Sequence, residues 1–166
     1  MTNYIIFGAP GAGKGTQAKL LAEKYGLIHL SSGEILRKEI KSGELGEKIK
    51  KYLAAGRLVS GEIINQIMEK EIKRHKKAKG FIFDGFPRTL SQAKRLDKIM
   101  RVNNEPIKAV FKIRISEEEG IKRIIERAKT SGRSDDNRKI IKERFKIYRR
   151  EMHPIITYYQ KQNKLL

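Results

Sequence analysis

Cysteine is absent from this chain, and histidine occurs only at positions 29, 75 and 153. The first absence excludes disulfides and thiolate metal sites. The scatter of the histidines gives no metal-ligand spacing and marks His29, His75 and His153 as structural or surface residues. Long apolar runs are missing as well. A membrane-spanning helix needs roughly 18 or more apolar residues in succession, and the runs here stop after a few. The N-terminus enters a strand-like segment without the basic, apolar and small-residue regions of a secretory signal. A cytoplasmic protein with no membrane partner is expected. No Pro/Ser-rich linker, repeat or low-complexity tract divides the 166 residues, which suit a single domain over 1–166 with a proper core.

Acidic residues are scarce relative to basic ones, 19 against 38, for a formal net charge of +19. Much of the excess is lysine in helical stretches such as KEIKSGELGEKIKKY and EKEIKRHKKAK. Such a surface can bind nucleic acid, steer small phosphorylated ligands, or be no more than a solvated lysine-rich face. No aromatic RNP pattern, zinc-finger spacing or basic-leucine repeat accompanies the charge, so nucleic acid is not expected as a partner.

Short apolar runs alternate with segments of helical period. Strands are expected at 4–7, 27–30, 81–84 and 108–115. Helices are expected from Lys14 to a stop at Gly26, from the serine cap of SSGEILRKEI, and at about 45–55, 61–75, 90–101, 117–129 and 136–150. In the first of these, Ala18, Leu21, Ala22 and Tyr25 share a face. In the last, Ile140, Ile141, Phe145, Tyr148 and Met152 recur at helical spacing. This alternation implies an α/β fold with an open parallel sheet of four or five strands between helical layers. Ligands of such sheets bind beyond the carboxyl ends of the strands.

Two motifs fall at those ends. GAPGAGKGT, residues 8–16, follows the first strand and opens the first helix, which is the context of a phosphate-binding P-loop. Glycines let backbone N–H groups turn inward, the helix N-terminus favours anions, and Lys14 reaches β- and γ-phosphates. Gly15 and Thr16 complete the loop, with Thr16 available near Mg²⁺. The second motif is GFIFDGFPRTLSQA, where an apolar strand ends in Asp84. That carboxylate, beside the P-loop, can hold Mg²⁺ through water. Arg88 leaves the following turn with a planar donor fork suited to phosphate.

Together with SSGEILR, GRLV and RIIERAKTSGRSDDNRKIIKER, these motifs resemble the adenylate kinase family of nucleoside monophosphate kinases, from Tyr4 to about Tyr159. The resemblance implies a three-layer P-loop fold with a helical monophosphate-binding insertion at about 31–60 and a short lid at about 127–137. It implies reversible, Mg²⁺-dependent transfer of the γ-phosphoryl of ATP to a nucleoside monophosphate, giving ADP when the acceptor is AMP. Gly11, Ala12, Gly13, Lys14, Gly15 and Thr16 would bind the ATP phosphates. Arg123 and Arg127, one helical turn apart, would face ATP, Arg123 near its adenine. Ser32 and Arg37 would contact the monophosphate. Arg57, Leu58 and Val59 would meet its base, which Gln92 would read by hydrogen bonds, and Gly85, Phe86, Pro87 and Arg88 would line the same pocket. Arg133 and Arg144 would converge on the transferring group, making Lys14, Arg88, Arg127, Arg133 and Arg144 the catalytic set. Arg133, beside Asp135 and Asp136, also reads as half of a surface ion pair.

The lid is of the short type, and zinc is not expected. Ser32 stands where threonine is usual for AMP and brings the sequence close to UMP/CMP kinases, whereas Gln92 favours adenine; AMP is the preferred reading. A nucleotide- or RNA-binding protein of the same fold with weak turnover is the remaining alternative. Most relatives continue into a last strand and a C-terminal helix. This chain ends at Leu166, about where that strand would begin. Four strands with one uncovered edge are therefore expected, in a monomer for which self-association through that edge is conceivable.

Overall fold

A computed structural model of the chain describes residues 2–42, 45–131, 133 and 135–166. Four strands form one parallel sheet in the order β2-β3-β1-β4: β1 Asn3–Gly8, β2 Ile28–Ser31, β3 Phe81–Asp84 and β4 Ile107–Ile113. The helices are α1 Lys14–Tyr25, α2 Ser32–Ser42, α3 Gly46–Ala54, α4 Gly61–Arg74, α5 Leu90–Val102, α6 Glu117–Ser131 and α7 Arg138–Gln160. Every expected element is present, with shifted ends. Gly43 and Glu44, in the expected monophosphate-binding insertion, and Gly132 and Ser134, in the expected lid, lie outside the described residues.

The sheet is apolar on both faces, as a parallel sheet between helical layers must be. Ile5 and Phe7 of β1 join Phe81, Phe83, Leu96, Met100, Val110, Ile155 and Tyr159 in the larger core. Ile6, between them, points the other way, to Ala18, Ala22, Leu27 and Ile82 under α1. A third cluster, Ala9, Ile124, Ile141 and Phe145, joins the P-loop to α6 and α7. Tyr25, expected on the inner face of α1, is instead 54% exposed. At the last turn before the Gly26 stop it has no layer to pack against, and Lys24 sits over its ring.

Side-chain caps fix several helix starts, each meeting an amide that the helix itself cannot satisfy. Ser60, Thr89 and Asn137 accept from Ile63, Gln92 and Ile140 at the starts of α4, α5 and α7. The last helix runs ten residues beyond its expected end at about 150, through Pro154 to Gln160. Proline in a helix interior removes a donor and crowds the preceding turn. Here the buried side chains of Ile155, Ile156 and Tyr159 carry the helix on. Its end is tied to α5 by Asp97, a carboxylate 4% exposed that accepts from Tyr158 Oη at 2.9 Å, Tyr159 Oη at 3.3 Å and Gln162 Nε2 at 3.2 Å. Burial and this carboxylate push the Tyr159 phenol far above its ordinary range, so it remains a donor.

The edge of β4 expected to be uncovered carries the last residues of the chain. Val110 N donates to Lys164 O at 2.8 Å, Leu166 N to Val110 O at 2.8 Å and Lys112 N to Leu166 O at 3.1 Å. This is a parallel bridge at Val110–Leu165, beside the four-stranded sheet. Among the described residues no helix is long and apolar enough to cross a membrane.

Asp97→Ala leaves the buried Tyr159 hydroxyl and the half-buried Tyr158 hydroxyl without this acceptor and should lower stability by about 2–4 kcal/mol in urea unfolding. A loss under about 0.5 kcal/mol would show that the α5–α7 junction does not depend on this carboxylate.

Candidate active site

β1, β2 and β3 all end on one side of the sheet, and the site is assembled there. Parallel pairing sets Ile6 beside Asp84, and Asp84 beside Ser31. The P-loop and the turn after β3 are thus neighbours by register. Gly11 and Gly13 take φ of 80° and 79°, left-handed values that cost a residue with a Cβ. Gly13 caps α1 without a side-chain hydrogen bond, so amides of the first turn are left for an anion. Lys14 Nζ donates to Gly8 O at 2.8 Å and Ala9 O at 3.0 Å. Burial lowers its pKa from 10.5 to about 8; Asp84 opposes the shift, and Arg88, Arg144 and Arg127 add to it.

The loop is braced by a glycine that its own sequence does not reveal. A Cβ on Gly11 would collide with the carbonyl of Gly120 in α6, and one on Gly120 would stand 2.6 Å from Pro10 O. Backbone therefore meets backbone, and α6 approaches as closely as it does because both residues lack side chains. The motif spacing ends at Thr16, and nothing in it points to residue 120.

Beyond β3, Asp84 is 8% exposed, with Oδ2 3.5 Å from the place of a Cβ on Gly15. His29 Nε2 lies 3.4 Å from the same oxygen, so this histidine, read as structural or surface, makes a structural contact to Asp84. Gly85 O accepts from Ser32 Oγ and Arg88 Nε, both at 2.7 Å. Arg88 N donates to Gln92 Oε1 at 2.7 Å, which orients the buried Gln92 amide. Arg88 is exposed to the open cleft, with protein on the surrounding walls. Burial and the nearby Arg144 bring its pKa down to about 10. Burial and Arg133 lower that of Arg37.

Two aspartates hold the arginines that follow residue 120. Arg127 makes a bidentate pair with Asp136, at 2.7 and 2.9 Å. Arg144 Nη1 lies 3.2 Å from both Asp135 Oδ2 and Asp136 Oδ1. The Asp136 side chain has no exposure. These carboxylates pair with Arg127 and Arg144 and not, among the described residues, with Arg133, the partner their position beside it suggests. Arg123 is held on its own helix by Glu119, at 2.6 Å.

Two cavities meet in this cleft. The larger, about 640 Å³, is walled by residues 10–16 of the P-loop, Asp84, Arg123, Arg127 and Arg133. The inner one is lined by Ser32, Leu36, Arg57, Leu58, Val59, Ile64, Gln92 and Asp135. Gly33, Arg37, Gly85, Arg88 and Arg144 line both. Phe86 does not take its expected place: it is 3% exposed and belongs to the main core. Pro87 faces a third cavity next to the inner one. The chain leaves β3 after Asp84 through Gly85, whose φ is 71°, and this turn sends Phe86 to the core while Gly85 and Arg88 face the cleft.

The family model described as adenylate kinase matches residues 6–164. The chain belongs to the adenylate kinase family. It is an α/β P-loop protein and, with its relatives, a nucleoside monophosphate kinase, a phosphotransferase. It is 46% identical to the adenylate kinase of Parabacteroides distasonis, over 99% of this chain and 87% of that one. With the adenylate kinase of Azobacteroides pseudotrichonymphae it shares 44% identity over 100% and 87%. With that of Flavobacterium johnsoniae the figures are 43%, 99% and 87%.

The lowered Lys14 pKa predicts a pH signature of nucleotide binding. Only the charged amine attracts phosphate, so ATP affinity should weaken as pH rises through about 8. Calorimetry in buffers of different ionisation heat should show about one proton taken up at pH near 9 and almost none near 6.5. Lys14→Met should abolish the uptake and phosphoryl transfer while keeping the fold; uptake that persists in this variant would refute the assignment.

Proposed function

We propose that the protein catalyses the reversible transfer of the γ-phosphoryl of ATP to AMP, giving two ADP, with ATP in the larger cavity and AMP in the inner one. The observation that carries this reading is the shared wall. Arg37, Arg88 and Arg144 border both cavities, so phosphates entering from either side meet over the same three guanidinium groups. Phosphoryl transfer asks a protein mainly for positioning and charge neutralisation, and arginine supplies both.

In this reading the P-loop amides and Lys14 hold the β- and γ-phosphates, and Lys14 exchanges its bonds to Gly8 O and Ala9 O for phosphate oxygens. Arg127 and Arg144 leave their aspartates partly or wholly as the transferring charge arrives, aided by Arg133. Arg37 holds the acceptor phosphate, Ser32 and Arg57–Val59 form its nucleoside pocket, and Arg123 flanks the ATP adenine. With Gln92 Oε1 bound to Arg88 N, its amide N–H suits a ring-nitrogen acceptor such as adenine N1 and opposes the N3–H of uracil. Closure of the insertion at about 31–60 and of the lid at about 127–137 excludes water, which limits wasteful hydrolysis.

Mg²⁺ fits the residues present. Among the described residues no group of three or more His, Asp or Glu encloses a metal, but Asp84 and Thr16 line the larger cavity together. One carboxylate and one hydroxyl, completed by waters and nucleotide phosphates, are the set that Mg²⁺ takes in such sites. Bound there, Mg²⁺ would neutralise part of the phosphate charge. His29 sits behind Asp84 and fixes its direction.

An acceptor assay with ATP and each of AMP, CMP and UMP tests the assignment. AMP should exceed both pyrimidine nucleotides in kcat/KM by about tenfold or more; a preference for CMP or UMP would overturn it.

A further inference from the structure

The loop that forms the floor of the inner cavity touches α7 at a glycine. Gly56 has φ of 67°. A Cβ on it would stand 3.0 Å from Ile140 Cγ2, 3.3 Å from Ile140 O and 3.5 Å from Glu143 Cβ. The Ile140 carbonyl opens the helical turn that closes on the amide of Arg144, whose guanidinium lies on the wall between the two cavities. On the other side of the contact, the next three residues, Arg57, Leu58 and Val59, line the inner cavity. A third cavity, about 90 Å³, lies between Leu58 and Ile147 and Met152 further along the helix. The loop is thus seated on α7 at Gly56, with open space beyond it.

We propose that Gly56 is a positioning residue that couples the acceptor-binding loop to the turn of α7 carrying Arg144. Without a side chain, the loop backbone rests directly on that turn, so the acceptor base and the arginine that neutralises the transferring phosphate share one reference point. A Cβ at 56 would press on Ile140 so that the loop or that side chain must give by a few tenths of an ångström. Arg57–Val59 would then move relative to Arg144, while the P-loop, which is braced by Gly120 on α6, would stay in place. The proposal rests on the reading of the inner cavity as the acceptor site.

Steady-state kinetics with ATP and AMP test it, alongside thermal unfolding of each variant. Gly56→Ala should raise KM for AMP about tenfold and lower kcat, with KM for ATP changed less than about twofold. Ile140→Ala, which removes the Cγ2 that the new Cβ meets, should restore much of the AMP affinity when combined with Gly56→Ala. Backbone strain at the positive φ is the same in both backgrounds, so rescue reports the contact itself. Gly56→Asn, which tolerates this φ better but carries the same Cβ, should keep the AMP defect. An unchanged KM for AMP, equal losses for both nucleotides, no rescue by Ile140→Ala, or normal kinetics in Gly56→Asn would each overturn the proposal. So would a wild-type protein that uses no AMP, but that result condemns the acceptor assignment as well, and the wild-type baseline tells the two failures apart.

Discussion

Lys14, Arg37, Arg88, Arg127, Arg133 and Arg144, with Lys19 and Arg123 beside them, line one cleft, and this crowding of positive charge is the constraint around which the site is built. Burial is the main cause that lowers the Lys14 pKa to about 8 and that of Arg88 to about 10, and neighbouring arginines add to both shifts. Three carboxylates offset part of the positive charge. Asp84 lies near Lys14, Asp135 pairs with Arg144, and Asp136 holds both Arg127 and Arg144. Lys19 pairs with Glu34 and Arg123 with Glu119, and the other six positive groups against these three negative ones leave a surplus that polyphosphate can neutralise. Because the folded protein holds the Lys14 proton less tightly than the unfolded chain, this group adds to stability only as pH rises from about 8 towards 10.5. Below that window its charge in the empty cleft is a cost, and a bound phosphate removes it.

The fold holds these charges together by bringing backbone close to backbone. Parallel pairing sets the end of β1 beside the end of β3, so Asp84 needs no loop to reach the P-loop. Gly11 meets Gly120, and Gly56 meets Ile140. In each place a helix that carries arginines is seated on a loop that faces one of the two cavities. Buried apolar clusters on both faces of the sheet keep those seats rigid. The Asp97 network fixes the far end of α7, the helix on which Arg144 rides.

Local pattern made much of this legible in the sequence. The P-loop spacing between a strand and a helix, paired with the Asp84–Arg88 turn, points to phosphate from the sequence, and the strand and helix runs show their periods openly. What stayed hidden depends on approach between distant segments. Gly120 and Gly56 look like ordinary glycines until the backbones they touch are known. His29 has no ligand spacing because its partner is 55 residues away. Asp135 and Asp136 sit beside Arg133 in the chain but bind Arg127 and Arg144 across the turn. Phe86 lies inside the motif, yet the turn at Gly85 that follows the strand sends it to the core. Burial of Ile155, Ile156 and Tyr159 outweighs the helix-breaking signal of Pro154, and a strand-edge pairing at 164–166 depends on a neighbour found only in the fold.

The claim that the cleft carries a surplus of positive charge built for polyphosphate is tested most directly by thermal unfolding with inorganic tripolyphosphate, which has no base to be read. The melting temperature should rise by several degrees at low salt, and the rise should shrink steadily as sodium chloride screens the cleft. No rise at low salt would mean that the aspartates already balance the arginines, and would contradict this account.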